Sequence, residues 1–397
     1  MISCIWNKVK ENDTFLFCHN KKTDDLTKNV TFLLGINVQN AQKNVSKTVK
    51  TWKIMKSIDR KWKELYNYGN RWKHLKQNEN KCKQKHRKEG IMNYAGRFNS
   101  FILKGQNVFD AIKAYHEMDG ITHLEFNYPE HFAGYDLEEI KKAIGDLKVN
   151  GLAVRWRNYF TNGDFTNPDE ELRTKAIQYC KEAADICREL GGTYITLWME
   201  NDGFDYAFQL DYEEAWNQLI DAFREVADYA PDLKISIEYK PFEPRNFSMI
   251  DSTGMTLLLI KEIDRPNVGC TLDFCHMLMK RDSPAYGLAI AASMGKLYGL
   301  HMNDGYSQMD SGMIFGSVNI AHAAEFIYYL KKYNYQGVVF FDTFPIRENA
   351  KEETQANIDS FEKISKIIDE IGMDRIAEVV SKRDGVEAHR LVLDMLK

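Results

Sequence analysis

The chain has 397 residues, of which 44% are hydrophobic and 28% are charged, and its formal net charge is −4. This composition is typical of a globular protein, and the lack of any run of about 18 apolar residues argues against a transmembrane helix or a membrane partner. The first residues, MISCIWNKVKENDTF, lack the apolar core and the cleavage site of a secretory signal. The seven cysteines form no CxxC pair, so we expect reduced thiols in a cytoplasmic protein.

Residues 1–91 differ in composition from the rest of the chain. They are rich in Asn and Lys, as in NVQNAQKNVSK, and contain about 21 basic against about 8 acidic residues, whereas the remainder has an acidic excess of about 17. We predict a basic, poorly ordered N-terminal extension that takes no part in the chemistry. Two alternatives remain: translation that begins at Met92, or a basic arm for nucleic acid or anionic lipid.

From Met92 onward, strand-like and helix-like segments alternate. VFDAIKAYHEMDG has a helical pattern and precedes the strand-like ITHLEFNYP; DLEEIKKAIGDL likewise precedes VNGLAVRW. The long segment that starts at NPDEEL and ends at ELGG has a helix start and stop signal, and YITLWM, LKISIEY, VGCTLDF, LYGLHMND and GVVFFDTF follow as strands. Seven or eight such units predict an α/β fold, a parallel (β/α)8 TIM barrel over residues 92–372. A C-terminal helical tail is expected at 373–397.

Polar residues stand at the ends of these predicted strands, where a (β/α)8 barrel carries its active site. Four successive strands end in Glu238, Asp273, His301 and Asp342. Buried acids at one rim would repel one another unless a cation lay between them. Oxygen ligands with one or two imidazoles favour Mn²⁺, Mg²⁺ or Co²⁺, so we predict one or two such ions. The candidate ligands are Glu238, Asp273, His276, His301, Asp310 and Asp342.

Several of these stretches resemble a known family. EYKPFEPR resembles the EPKPNEPR stretch of xylose isomerases, and FFDTFPIR resembles their last metal-binding strand. TLDFCH and LHMND are similar to the related L-rhamnose isomerases. Over roughly residues 95–370 the chain therefore resembles the xylose isomerase-like TIM-barrel superfamily of sugar isomerases and epimerases.

The resemblance implies specific roles for residues of this sequence. Glu238, Asp273, His301 and Asp342 would hold a structural metal, and His276 with Asp310 would hold a second, catalytic metal. The family has a D-x-D pair at the second site, whereas here Gly312 stands two residues after Asp310. Two alternatives follow: Asp304 compensates for the missing ligand, or the second metal binds loosely. It also has a histidine after the second or third strand that assists opening of the sugar ring. VRWRNYFTNGDF has none and places arginines there instead.

The resulting functional hypothesis is a divalent-metal-dependent isomerase that interconverts an aldose and a ketose. Lys240 would stabilise negative charge on the carbonyl oxygen, and Glu238 and Asp342 complete the predicted catalytic set. The predicted substrate-binding residues are Trp198, Glu243, Asn303 and Arg155. We expect a small-molecule sugar as the partner, no nucleic acid, and a homo-oligomer.

Three alternatives are open at this point. A ketose 3-epimerase on the same barrel would use one metal and two acids, Glu238 and Asp342, on opposite faces of a carbon. The epimerase branch usually has Glu at the last ligand, so Asp342 favours the isomerase. An endonuclease similar to those that act at apurinic sites needs more histidines, and an acidic barrel disfavours DNA. A non-catalytic sugar-binding protein would need neither Lys240 nor a full set of metal ligands.

Overall fold

The computed structural model describes residues 5–9, 13–17, 92–157 and 159–396. The chain divides into two units, Met1–Gly90 and Ile91–Lys397. In the first unit, strand β1 (Ile5–Val9) pairs antiparallel with strand β2 (Asp13–Phe17), a pair that the sequence analysis did not anticipate. The predicted poor order of the N-terminal extension otherwise lies outside the described residues.

The second unit contains the remaining strands. They are β3 (Asn93–Gly96), β4 (His123–Tyr128), β5 (Lys148–Val154), β6 (Tyr194–Trp198), β7 (Gly203–Phe204), β8 (Lys234–Glu238), β9 (Phe247–Ser248), β10 (Val268–Asp273), β11 (Leu297–Met302) and β12 (Val338–Phe341). Eight of them form one parallel sheet in the order β3-β12-β11-β10-β8-β6-β5-β4, while β7 and β9 form a small antiparallel pair. Single bridges, Tyr94 to Ile121 and Arg97 to Glu125, join the two ends of the sheet. The predicted TIM barrel is confirmed.

Helices follow the strands along the chain, and the last three come after β12, the final strand. The described helices are α1 (Asn99–Ile102), α2 (Val108–His116), α3 (Leu137–Ile144), α4 (Glu170–Glu189), α5 (Tyr212–Tyr229), α6 (Thr253–Ile263), α7 (Phe274–Lys280), α8 (Pro284–Ser293), α9 (Ile320–Lys332), α10 (Ala350–Ile371), α11 (Met373–Lys382) and α12 (Gly385–Met395). Side-chain caps begin several of them. Asp169 accepts a hydrogen bond of 2.9 Å from the amide of Glu171, which satisfies one of the free N–H groups at the start of α4.

Strands β5 and β6 approach each other closely next to the residues that hold Glu125. A Cβ atom on Gly151 of β5 would lie 2.4 Å from the carbonyl oxygen of Tyr194 on β6, so only glycine allows the two backbones to approach this closely. The neighbouring Asn150 and Tyr194 both reach Glu125 on β4, where the β4–β5 register shifts between Leu124 and Glu125. The sequence thus places a buried carboxylate inside the barrel together with its two hydrogen-bond donors.

The C-terminal helices α11 and α12 lie in the same unit as the barrel. Ile376 and Val379 of α11 are buried, whereas Val386, Leu393 and Leu396 near the end of the chain are exposed. None of the helices described is both long enough and apolar enough to cross a bilayer.

Candidate metal centre and cavity

Four side chains from neighbouring strands meet at the C-terminal end of the barrel. Glu238, Asp273 and His301 occupy β8, β10 and β11, and Asp342 directly follows β12. One potential ligand atom from each lies within 4.8 Å of the others. The first three side chains are buried. Within the residues that the structure describes, no other group of three or more His, Cys, Asp or Glu has this spacing.

The electrostatics of this cluster suit a divalent cation. Burial raises the pKa of Asp273 to about 7, and the carboxylates of Asp310, Glu238 and Asp342 add to the rise. Burial also raises the pKa of Asp342. Glu238 behaves differently: burial opposes its charge, but His301 and His276 lower its pKa overall. A cation among these acids would relieve their repulsion, and three carboxylates with one imidazole fit Mn²⁺, Mg²⁺ or Co²⁺.

A second layer of residues orients these ligands. His301 lies between two carboxylates, with Nδ1 3.0 Å from Glu238 Oε1 and Nε2 3.2 Å from Glu125 Oε1. Asn303 donates to Asp273 Oδ2 at 2.9 Å and to the carbonyl oxygen of Asp342 at 3.1 Å. Such outer partners fix the rotamers of metal ligands and influence metal affinity.

Lys240 belongs to a separate cluster beside the four-residue group. Its Nζ lies 3.0 Å from Asp310 Oδ2 and 3.1 Å from Glu243 Oε2. His276 contacts the same Asp310 oxygen through Nε2 at 3.2 Å and the carbonyl oxygen of Tyr239 through Nδ1 at 2.9 Å. Although burial favours the neutral imidazole, the carboxylates of Asp273 and Asp310 raise the pKa of His276 to about 9. Burial likewise opposes the charge of Lys240, and Asp310 outweighs it and raises the pKa of this lysine.

Both clusters open into one cavity of about 230 Å³. Its walls include Trp198, Phe340 and Phe344, together with the guanidinium groups of Arg97 and Arg155. Arg155 lies over the Trp198 ring at 4.6 Å, and Arg97 lies over Phe344 at the same distance. Arg97 Nη1 and Arg155 Nε are buried with no hydrogen-bond partner in the described structure. These N–H groups could donate to a hydroxylated ligand.

Comparison with known proteins agrees with this geometry. The sequence profile of a family described as "Xylose isomerase-like TIM barrel" matches residues 109–364, which is well over half of the chain. The protein belongs to this family.

A relative similar in sequence and two solved structures similar in fold cover different shares of this chain. The xylose isomerase of Thermus thermophilus is 30% identical over 199 residues, 49% of this chain and 51% of the relative. The chain thus spans about half the length of the curated relatives it matches. A structure of L-ribulose 3-epimerase has a TM-score of 0.55 at 18% identity and covers 74% of this chain and 98% of its own. A structure of the IolI protein with a bound zinc atom has a TM-score of 0.55 at 17% identity, covering 70% and 98%. The two solved structures show the shared fold.

Most of the residues predicted for the site line the cavity. They are Glu238, Lys240, His276, His301, Asp310, Asp342, Trp198, Glu243 and Arg155. Two predicted residues lie behind its wall. Asp273 is 1% exposed and contributes to the four-residue cluster, and Asn303 is fully buried against Asp273. Asn303 therefore orients a candidate ligand from behind and does not face the cavity.

The sequence analysis did not predict two residues of the cavity wall, Arg97 and Glu125. Arg97 follows the short strand β3, and its Nε lies 2.9 Å from Asp342 Oδ1. Glu125 on β4 also lines the cavity and contacts His301. The signal for Arg97 was available: in MNYAGRFNS a lone arginine follows a short apolar strand.

The sequence analysis found no histidine after the second or third strand, and the structure corrects this point. His131 follows β4, the second strand of the barrel, whereas VRWRNYFTNGDF, which contains no histidine, follows the third strand. Its Nδ1 accepts from the amide of Asn127 at 2.8 Å, and its Nε2 lies 2.9 Å from Asn99 Oδ1. The ring is 2% exposed and is not part of the cavity wall. Asn127 lines the cavity in that region.

Asp304 is placed away from the metal ligands. Its Oδ2 accepts from the amides of Val318 and Asn319, both at 2.9 Å, and its Oδ1 accepts from Gly305 N at 2.8 Å and Asn319 Nδ2 at 2.7 Å. It therefore fixes the loop that carries Asp310, and it has no free oxygen with which to compensate for a missing ligand at a second metal.

Proposed function

We propose that the protein is a divalent-metal-dependent sugar isomerase that interconverts an aldose and a ketose. One observation carries the proposal: the cluster of Glu238, Asp273, His301 and Asp342 opens into the same small cavity as the buried Lys240. The xylose isomerase of Thermus thermophilus, 30% identical over half of this chain, supports the same reaction class. We place the protein in the cytoplasm as part of the same proposal.

The four-residue cluster would hold the metal ion. When bound there, a Mn²⁺, Mg²⁺ or Co²⁺ ion supplies Lewis-acid polarisation of a sugar oxygen. Glu238, Asp273 and Asp342 provide negative charge, and Glu125 contacts Nε2 of His301, so that Nδ1 is directed at Glu238 in the cluster. Asn303 keeps Asp273 in place by its hydrogen bond to Oδ2.

Lys240 would stabilise the charge that develops during the reaction. Its ammonium group is held by Asp310 and Glu243 at the cavity wall, so it needs little rearrangement when negative charge forms on the carbonyl oxygen. A fixed cation in a buried site stabilises such a charge more than a solvated one does. His276, on the other side of Asp310, keeps that carboxylate oriented.

The walls of the cavity favour a small hydroxylated substrate. A volume of about 230 Å³ is below the range of roughly 300–1,000 Å³ that drug-sized ligands require, which suits a single sugar unit. Phe340 and Phe344 offer apolar surface and exclude water. Arg97 and Arg155 offer buried N–H groups to sugar hydroxyls.

A ketose 3-epimerase is the second candidate. One observation favours it: only one four-residue cluster able to hold an ion occurs in the described residues. Glu238 and Asp342 would then exchange a proton with opposite faces of one carbon. Within the barrel residues that the structure describes, no observation favours the endonuclease or the non-catalytic sugar-binding protein.

The test is a metal analysis followed by a panel of sugars. Purified protein would be stripped of metal, reloaded separately with Mn²⁺, Mg²⁺ and Co²⁺, and incubated with aldopentoses, aldohexoses and ketoses. Product identification by NMR distinguishes the two reactions, because isomerisation moves the carbonyl whereas epimerisation inverts C3. We expect aldose–ketose conversion only with metal. Metal-loaded, folded protein that converts no sugar in the panel would overturn the proposal.

A further inference from the structure

Lys240 contacts Asp310 and Glu243, and Asp310 is a carboxylate that a second metal ion beside His276 would need as a ligand. We infer that its ammonium group is a built-in substitute for that ion, so that the protein binds one divalent cation per chain. The inference rests on the metal centre of the proposed function. One ion per chain is compatible with the isomerase, to which Lys240 supplies a second positive charge, and also with the 3-epimerase, so the products of the sugar panel distinguish the two reactions.

The first argument is the contact geometry of Lys240. Its Nζ lies 3.0 Å from Asp310 Oδ2 and 3.1 Å from Glu243 Oε2, and 5.1 Å from the centre of the Trp198 ring. Two carboxylates and an aromatic face are the partners that a buried ammonium group prefers. The side chain is 8% exposed, so these contacts replace most of its hydration.

The second argument is competition for the same ligand atom. A second ion held by His276 and Asp310 would bind Asp310 Oδ2, which already contacts both Lys240 Nζ and His276 Nε2. A Mg²⁺ ion requires oxygen ligands at about 2.0–2.1 Å and near-octahedral coordination. The ammonium would have to leave its two carboxylates before the ion could bind there.

The third argument is the shortage of ligands. Asp273 is the residue that could bridge two ions, but Oδ1 accepts from the amide of His276 at 2.8 Å and Oδ2 accepts from Asn303 at 2.9 Å. Gly312 stands where a second loop carboxylate would be required. Among the residues described, His276 and Asp310 belong to no group of three ligands with metal spacing.

The test counts metal ions in the full-length protein with Co²⁺ as the probe. Apo-protein is titrated with Co²⁺, and the bound ion is counted by calorimetry and by mass spectrometry of the dialysed protein. We expect one ion in the wild type, with any second ion bound at least about 100-fold more weakly, since displacing a buried charge from its partners is costly. Lys240→Met removes the ammonium at similar length and should bind two ions, because Asp310, Glu243 and His276 are then free to coordinate.

Two controls make the count specific. Lys181→Met removes a lysine that pairs with Glu225 at 2.8 Å on the outside of the barrel, and it should still bind one ion. Lys240→Met combined with Asp310→Asn should return from two ions to one. Circular dichroism confirms that each variant is folded.

The outcomes separate this inference from the proposed function. Two ions of similar affinity in the wild type, or one ion in folded Lys240→Met, would overturn the inference and leave the isomerase proposal intact. No bound ion in the wild type would overturn both. A wild type that binds one ion and converts no sugar would overturn the isomerase alone.

Discussion

Nε2 of His301 lies 3.2 Å from Oε1 of Glu125, and both side chains are buried inside the barrel. Glu125 is itself fixed, because its Oε2 accepts from Tyr194 OH at 2.6 Å and from Asn150 Nδ2 at 2.7 Å. A carboxylate behind a histidine ligand sets its tautomer and ring orientation and makes its other nitrogen more basic. Glu125 thus connects the packing of three strands to the candidate metal centre.

Glu125→Gln should therefore weaken metal binding without unfolding the protein. Glutamine has the same shape and can still accept from Tyr194, but it lacks the negative charge behind His301. We expect Mn²⁺ affinity to fall about 10- to 100-fold, measured by calorimetry. Glu225→Gln, which changes an exposed glutamate on α5, is the matched control and should bind as the wild type does.

Removal of a candidate ligand should have a larger effect. Glu238→Gln and Asp342→Asn each delete a charged oxygen donor, and we expect both variants to lose tightly bound divalent cation. Asn303→Ala should weaken metal binding less, because Asn303 is not itself a ligand and acts through its hydrogen bonds to Asp273 and to the backbone of Asp342. Metal content after dialysis is the measurement, and equal content in all of these variants and the wild type would contradict the assignment.

The fold and most of the cavity were predictable from the sequence because both depend on local patterns. Strands such as ISIEY and VGCTLDF end in charged residues, and parallel strands bring their carboxyl ends to one rim. Glu238, Asp273, His301 and Asp342 follow from that rule together with the family resemblance.

The orientation of side chains was harder to predict. Asn303 stands at a strand end, as the candidate metal ligands do, yet it lies behind Asp273. Side chains alternate between the two faces of a strand, so the face that a residue occupies can be predicted only when the strand register is known. The contact between Glu125 and His301 spans 176 residues and depends on barrel closure. No local pattern indicates either arrangement.

Lys240→Met should slow catalysis strongly when the protein carries one metal ion. Removing a fixed donor from the site of developing negative charge costs roughly 10²- to 10³-fold in kcat. The assay would use one equivalent of Mn²⁺ per chain and the sugar identified in the panel. An unchanged kcat would show that Lys240 only neutralises Asp310 and Glu243.

Asp304→Ala should destabilise the protein and spare the metal centre. The variant leaves one buried and two half-buried backbone amides without their acceptor, and the Asn319 side chain keeps only the carbonyl oxygen of Gly305, at a cost of about 3 kcal/mol in the free energy of unfolding. Urea unfolding measures this loss, and Asp369→Ala, which breaks an exposed pair with Lys331, is the control. If Asp304 were a metal ligand, metal affinity would fall along with stability.

His131 should make stability depend on pH in a defined window. Burial lowers the pKa of His131 to about 4 from an ordinary value of 6.5, and Arg97, Arg155 and Arg157 lower it further, while Glu130 acts in the opposite direction. Between these two pH values the unfolded chain binds a proton that the folded chain does not. Stability is therefore fully present above pH 6.5 and falls as the pH drops towards 4, by about 3 kcal/mol.

His131→Gln isolates this contribution, because glutamine can accept from the amide of Asn127 and donate to Asn99 without titrating. The free energy of unfolding would be measured in urea at pH 7, 6, 5 and 4 for both proteins. We expect the wild type to lose stability relative to the variant as the pH falls, with most of the loss between pH 6.5 and 4. Acids remote from His131 titrate alike in both proteins, so their effects largely cancel in the difference. A difference that stays constant with pH would mean that the folded chain protonates His131 as easily as the unfolded chain does, and that its hydrogen bonds to Asn127 and Asn99 do not hold the ring neutral.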